Sequence, residues 1–291
     1  MGRTTIRGAG ARRRILGIVS QVIAYAVLAV GVTLTLFPIL WMLSTSFKDV
    51  KDLFNMPPQW IPRPPTAVAF GNLFKAGSFF LRYFLNSMIV CLSSTVLTVG
   101  AASLAGFSFS RFRFRGARTA MFLFLVTQMF PNVVLLISVF TLFKELRLLN
   151  SYPALILTYA GFALPFSIWM LKNYFDTLPI EMDQAAYIDG CSHVQVLTRI
   201  VYPLTGPAVL SVALFVFLVG WNELMFSLTL TSTDTMRTIA AGLVVTYQGQ
   251  YQIYWSEMMA ASLLASLPVV LLFLLMQRYF IQGMTMGAVK G

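Results

Sequence analysis

The strongest constraint on this chain is a series of apolar runs, each too long and too poor in charge for the core of a soluble protein. They cover roughly residues 15–43, 84–109, 119–143, 152–171, 205–230 and 258–281. About 20 apolar residues in helical form cross the hydrocarbon of a bilayer. Within hydrocarbon every backbone N–H and C=O must find its partner inside the segment, which makes such runs helices. Composition agrees: 58% of the 291 residues are hydrophobic and only 11% are charged, against about 25% charged in a soluble domain. Too few polar groups remain to coat a globule, so lipid is the implied solvent. The expected fold is all-α and integral to the membrane, with six transmembrane helices.

Charges and prolines set the order and orientation. Residues 1–14 carry Arg3, Arg7, Arg12, Arg13 and Arg14 and no acid. The run after them is too long for a secretory signal and has no small-residue cleavage site, so it reads as an uncleaved first span that Pro38 kinks or ends. Residues 44–83 form the longest polar connection, where Pro57, Pro58, Pro62, Pro64 and Pro65 rule out a long continuous helix. Arg111, Arg113, Arg115 and Arg118 separate the second and third spans. Arginine-rich short segments stay in the cytosol, which predicts both termini and the segment between spans four and five on that side. The net charge of +11 does not indicate nucleic acid, because the basic residues flank apolar spans and form no patch interleaved with stacking aromatics. Cys91 and Cys191 make no disulfide or metal pattern.

One stretch breaks the trend. Thr177–Pro203 is too polar for lipid, yet it reads as two ordered helices. Pro179 suits a first helical turn, and Glu181 and Asp183 then lie near that helix's positive end. Ala185 and Ala186 leave a low, smooth face. Gly190 is a natural stop, Ser192 can cap a second helix, and Val194, Leu197 and Val201 share a stripe that Pro203 ends. Between Lys172 and Pro203 four acids (Asp176, Glu181, Asp183, Asp189) stand against two bases, Lys172 and Arg199. An ordered loop packed on its own bundle and a docking element for a basic partner groove both fit.

The pattern Gln184-Ala185-Ala186-x-x-Asp189-Gly190, followed by Ile200-x-x-Pro203-Leu204 and Pro207, resembles the "EAA" loop of binding-protein-dependent ABC importer permeases. Leu164–Phe175, Gly220-Trp221-Asn222-Glu223 and Gly283–Gly291 resemble the carbohydrate branch, of the maltose-transporter type. The similarity runs from about residue 15 to the end. It implies the type I ABC importer permease fold: a cytosolic tail (1–14), a first span with an extracytoplasmic loop (15–81), a transmembrane core (82–280) and a cytosolic tail (281–291). The 177–207 loop would be the coupling-helix pair that docks on an ATPase subunit, through Asp183, Gln184, Ala185, Ala186, Asp189, Gly190, Ile200 and Pro203. The implied partners are two ATPase subunits, a second, related permease and an extracytoplasmic sugar-binding protein. Gln184 departs from the pattern, which has an acid there, and Asp183 is the residue expected to replace it. The resemblance also implies that the tail, including Gly283, Thr285, Gly287 and Lys290, reaches between the ATPase subunits, where composition alone suggests a frayed end.

The chain has no G-x-x-x-x-G-K-[ST] phosphate loop, so ATP and Mg are expected on the partner and no cofactor or metal on this chain. Glu223 is the only charged residue placed well inside an apolar run, with Asn222 beside it. Such a group faces a bundle interior or a water-filled path; it either lines the route of a sugar or makes an interhelical hydrogen bond. Gln128 and Asn132 flank Pro131 in the third run, where they satisfy a freed carbonyl or line a cavity. Trp169 and Trp221 are expected at lipid or at the interface. His193 has no nucleophile beside it and reads as structural. Two other functions were weighed. A same-family permease for a polyol or glycerol phosphate would want an arginine near its path, and none lies well inside a span. An intramembrane enzyme would need a catalytic set, and no G-x-S-x-G, H-E-x-x-H or intramembrane Asp pair occurs.

Overall fold

In the computed structural model the backbone is described for residues 5–249 and 253–288, and side chains for 17–249 and 253–277. Among these residues the chain is helical, with no strand and one isolated antiparallel bridge between Gln248 and Ile253. It divides into two units. The first takes residues up to Gly71 together with Trp255–Leu263; the second takes Asn72–Tyr254 and the chain from Leu264 onward.

The first unit is built on helix α1 (Thr5–Ser46). The helix passes straight through Pro38, which neither ends it nor separates it from the following turn as its sequence suggests. Nearly all its side chains from Ile18 to Leu40 are exposed apolar groups, as suits a span whose neighbour is lipid. Its end is tied into the loop that follows. Ser44 Oγ donates to the Trp60 carbonyl at 2.6 Å, the Trp60 ring lies against Phe37 and Trp41, and Lys48 Nζ stands 4.1 Å over the Trp41 ring. Ser256 Oγ donates to the Lys48 carbonyl at 3.0 Å. The connection carries only a 3₁₀ turn capped by Asp49 and the short helix α2 (Val68–Leu73), in keeping with its prolines.

The second unit centres on α3 (Phe80–Arg111), α6 (Tyr152–Phe175) and α9 (Tyr202–Trp221). The buried stripe of α3 includes Ser87, Cys91, Ser94, Ala102, Ser103 and Gly106. Small side chains of this kind let helix backbones approach closely in lipid, where no hydrophobic force drives helices together. Between α3 and α6 the third apolar run is not straight. It forms α4 (Ala117–Thr127), a 3₁₀ turn at Asn132–Leu135 and α5 (Leu136–Glu145), bent by 92° across the break. Pro131 takes an extended conformation there (φ −61°, ψ 125°), and its missing N–H breaks the ladder. The fifth run is also interrupted: α9 stops at Trp221 and the short α10 (Met225–Leu230) follows. Beyond it lie α11 (Ile239–Tyr247) and α12 (Trp255–Ala288).

Among the described residues, five helices are long and apolar enough to cross a membrane: Gly17–Ser46, Phe80–Arg111, Tyr152–Phe175, His193–Trp221 and Trp255–Gln277; the bent α4–α5 pair makes six if it counts as one span. Backbone helix continues through Gly283, Thr285 and Gly287 to Ala288, where composition suggests fraying. Lys290 lies outside the described residues.

Candidate functional site

The polar stretch after α6 folds as two short helices. Pro179 (φ −58°, ψ 132°) precedes α7 (Ile180–Ile188), and Gly190 ends it with φ +83°, a left-handed conformation that any residue with a Cβ resists. Ser192 caps α8 (His193–Val196) in a full capping box: its hydroxyl accepts from the Gln195 N–H, and the Gln195 side-chain oxygen accepts from the Ser192 N–H at 2.7 Å. Pro203 does not end this helix. A π turn at Leu197–Val201 links α8 into α9, with the Tyr202 N–H reaching back to the Leu197 carbonyl. The wider turn carries the chain past the missing N–H of Pro203. The inward stripe is Val196, Leu197 and Val201, all buried, whereas Val194 is exposed.

Ala186 is the inward anchor of α7, in one apolar cluster with Phe107, Phe175, Val196 and Leu197. Asp183 also points inward: it is 2% exposed and ion-paired with Arg111 at the end of α3. That burial removes Asp183 as the acid expected to face a partner in place of Gln184, because its carboxylate is engaged within the chain. Gln184, Ala185, Ile188, Asp189 and Gly190 face outward, and Ile188 is 87% exposed. Ile200 is half-buried and Pro203 exposed. His193 joins the two helices: its Nδ1 lies 2.9 Å from the Tyr187 hydroxyl, and its ring stands edge-on to Tyr187 and Phe112. Desolvation, then the Asp183 carboxylate, push the Tyr187 phenol above its ordinary pKa, so it keeps its proton at neutral pH. His193 is structural here, as its isolation in sequence suggests.

Glu223 does not sit mid-helix. It lies in the break between α9 and α10, and both its oxygens are engaged. Oε1 accepts from the Phe226 N–H at 2.8 Å; Oε2 accepts from the Ser227 N–H and the Tyr159 hydroxyl, each at 3.0 Å. It caps the first turn of α10 and binds α6 to it, which is the interhelical reading. Asn222 is exposed and donates to the Leu218 carbonyl at 2.9 Å. Gln128 donates across to the Phe162 carbonyl of α6 at 3.1 Å, and Asn132 is exposed at the bend. Gln128 lines a largely apolar cavity of about 630 Å³ with Phe124, Val139, Leu157, Phe162 and Pro165. Trp221 is buried and donates to the Ala265 carbonyl at 3.1 Å, contrary to the lipid-facing expectation; Trp169 is partly exposed.

A second polar cluster lies at the start of α3. Asn86 is fully buried. It donates to the Thr235 and Arg237 carbonyls at 2.9 and 2.8 Å and accepts from the Tyr152 hydroxyl at 2.7 Å. Ser87 accepts from the Ile239 N–H, and the Tyr83 hydroxyl lies 3.1 Å from Asp234 and 3.0 Å from Thr246. Asn150 accepts from the Ser232 and Thr233 N–H groups. The segment 231–239 is thus bound to the start of α3. The signal available in sequence was the Ser/Thr-rich run Thr231–Thr238 near two polar residues, Asn86 and Ser87, at the mouth of a span.

Residues 98–286 match the family described as "Binding-protein-dependent transport system inner membrane component". The chain belongs to that family. Two relatives cover nearly all of this transport component. The "Inner membrane ABC transporter permease protein YcjP" of Escherichia coli is 36% identical over 273 residues, 94% of this chain and 97% of the relative. The "Trehalose/maltose transport system permease protein MalG" of Thermococcus litoralis is 36% identical over 258 residues, 88% and 92% of the two chains. A chain from the crystal structure of a bacterial ABC transporter involved in import of the acidic polysaccharide alginate has the same fold, with a TM-score of 0.78 at 21% identity, covering 92% and 97% of the two chains. The family match begins inside α3 and takes in the α7–α8 pair, while α1 and its loop precede it.

Proposed function

We propose that this permease is the membrane subunit of an ATP-driven sugar importer and that α7 and α8 dock on a separate ATPase subunit. The observation that carries the docking reading is the outward face of the pair. Ile188 and Val194 are exposed apolar groups on a polar stretch between spans, beside the low surface of Ala185 and Gly190. A folded, capped helix pair with uncovered apolar tips suits a protein groove better than water. Gln184 would meet that groove by a neutral hydrogen bond. The relatives' names support sugar as the cargo, and the absence of arginine from the middle of every span favours a neutral one. The further partners in this reading are a second, related permease and an extracytoplasmic sugar-binding protein. ATP and Mg would sit on the ATPase, and this chain would carry out no chemistry of its own. The setting would be the inner membrane of a bacterium or archaeon, with both termini and the α7–α8 pair in the cytosol and the tail from Gly283 onward reaching between the ATPases. Gln128, Asn132 and Asn222 are the polar groups we assign to the path; Glu223 is assigned to the helix break.

Ile188→Asp and Gly190→Pro test the docking. The first puts a charge on the exposed tip; the second removes the left-handed turn between the helices. Both variants should reach the membrane and lose the ATPase subunit on copurification, together with sugar uptake. Normal copurification and uptake in both would refute the reading.

A further inference from the structure

The α7–α8 pair is joined covalently to α6 and, through the π turn, to α9. The structure adds a third attachment, from the end of α3, that docking alone does not call for. Gly106 lies against the backbone of α6: a Cβ there would stand 3.1 Å from the Lys172 nitrogen and 3.3 Å from the Ile168 carbonyl oxygen. One turn later Ser110 Oγ donates to Asp176 at 2.6 Å. Arg111 Nε donates to Asp183 Oδ2, and its Nη2 to the Leu178 carbonyl at 3.4 Å. The Phe112 ring stands edge-on to His193, centroids 5.0 Å apart. Four positions, three at the end of α3 and one just past it, therefore hold α6, the turn after it, α7 and α8, in that order.

The ionic contact is distinct within this set. Among the described residues there are three ion pairs, and only Arg111–Asp183 has both side chains buried, at 6% and 2% exposure. Asp183 Oδ1 is buried without a hydrogen-bond partner. Such a pair adds little stability over a well-packed apolar pair of the same size, but it fixes one geometry, because removing either charge strands the other. The planar guanidinium reaches Asp183 and Leu178 through two separate nitrogens, Nε and Nη2, a reach that a single ammonium nitrogen does not have.

We infer that Arg111 is a positioning residue that makes α3 and α7 move as one piece, so that displacement of the docked pair reaches α3 directly. The inference rests on the docking reading above. Its test uses the assembled transporter, with ATPase and sugar-binding protein, reconstituted with Arg111→Gln, Arg111→Lys, and the double variant Arg111→Met/Asp183→Asn. The double variant leaves no stranded charge and guards against simple misfolding. The expected result is normal ATPase copurification and near-normal basal hydrolysis. Sugar moved per ATP should fall about tenfold in Arg111→Gln and in the double variant, a size ordinary for a coupling between sites. Arg111→Lys should recover part of it. Unchanged sugar per ATP in the double variant would overturn the inference, and so would loss of the ATPase from a double variant that folds normally, since the pair would then serve the docking surface. Failure of the docking reading itself shows elsewhere, as an Ile188→Asp variant that keeps its ATPase.

Discussion

The two ends of α3 solve the same problem with different chemistry. Asn86 and Arg111 are 25 positions apart, about 38 Å along a helix axis, which exceeds a hydrocarbon core of about 30 Å. Polar clusters at both ends can therefore lie outside the oil while one helix joins them. At the Asn86 end the links are mainly neutral hydrogen bonds between buried side chains and the backbone of 231–239. At the Arg111 end they are ionic, and one carboxylate oxygen is left without a partner. The network at the Asn86 end also holds one ion pair, Arg237–Asp234, and leaves the buried Arg237 Nε without a partner, but its contacts to α3 are satisfied, and at low dielectric every partner lost from them leaves a buried group unsatisfied. A buried ion pair fixes its geometry too, since either charge left alone is stranded, but it does so through two side chains that travel together. The Asn86 end is built to stay fixed, and the Arg111 end to transmit.

The sharpest way to break this comparison is at Asn86. Asn86→Leu fills the space but strands the Tyr152 hydroxyl and the Arg237 carbonyl, and leaves the Thr235 carbonyl to Arg82 Nε alone. At about 1–3 kcal/mol for each unsatisfied group, the variant should be depleted from the membrane and unfold in detergent well below the parent temperature. Full accumulation with an unchanged melting temperature would show that the network is not fixed. The next largest effect is expected at Gly242. A Cβ there would lie 2.2 Å from the Tyr83 ring, so Gly242→Ala must displace that ring and its bonds to Asp234 and Thr246. Overpacking of this kind costs roughly 1–3 kcal/mol. Thermal unfolding of the purified subunit measures it, and in a Tyr83→Ala background the same Gly242→Ala change should cost much less, because the new methyl has room. An equal cost there would mean that the close approach is not what Gly242 serves.

How much of this was readable in advance follows from the range of the forces involved. The apolar runs, the Gly190 turn and the Ser192 cap are local: chain length, backbone conformation and a side chain three residues away decide them, and the sequence carries all three. The reach of α1 past Pro38 and of α8 through Pro203 was not readable, because proline is tolerated when a neighbouring turn widens or an outer face is free, and the sequence does not show either. Glu223 looked mid-helix because Gly220 alone, within a long apolar run, does not announce the break at Asn222. Asp183 looked outward because acids usually are; only the fold brings Arg111, 72 positions earlier, to its side. The family pattern located the α7–α8 pair, but it could not say which of its acids turns inward.

The smallest expected effect sharpens the comparison at the Arg111 end. Ser192→Ala removes one half of the capping box and leaves the Gln195 N–H without its side-chain acceptor, a loss of about 1 kcal/mol. Ser192 is exposed, and neither the Arg111–Asp183 pair nor the apolar cluster around Ala186 depends on it. The melting temperature of the whole subunit should therefore hardly move. What should change is local: amide hydrogen exchange at residues 193–196 should quicken about fivefold, the factor that 1 kcal/mol implies, while exchange at 82–87 stays as in the parent. Equal acceleration at both ends would mean that α3 transmits even a frayed cap along its length, and the Asn86 end would no longer count as fixed.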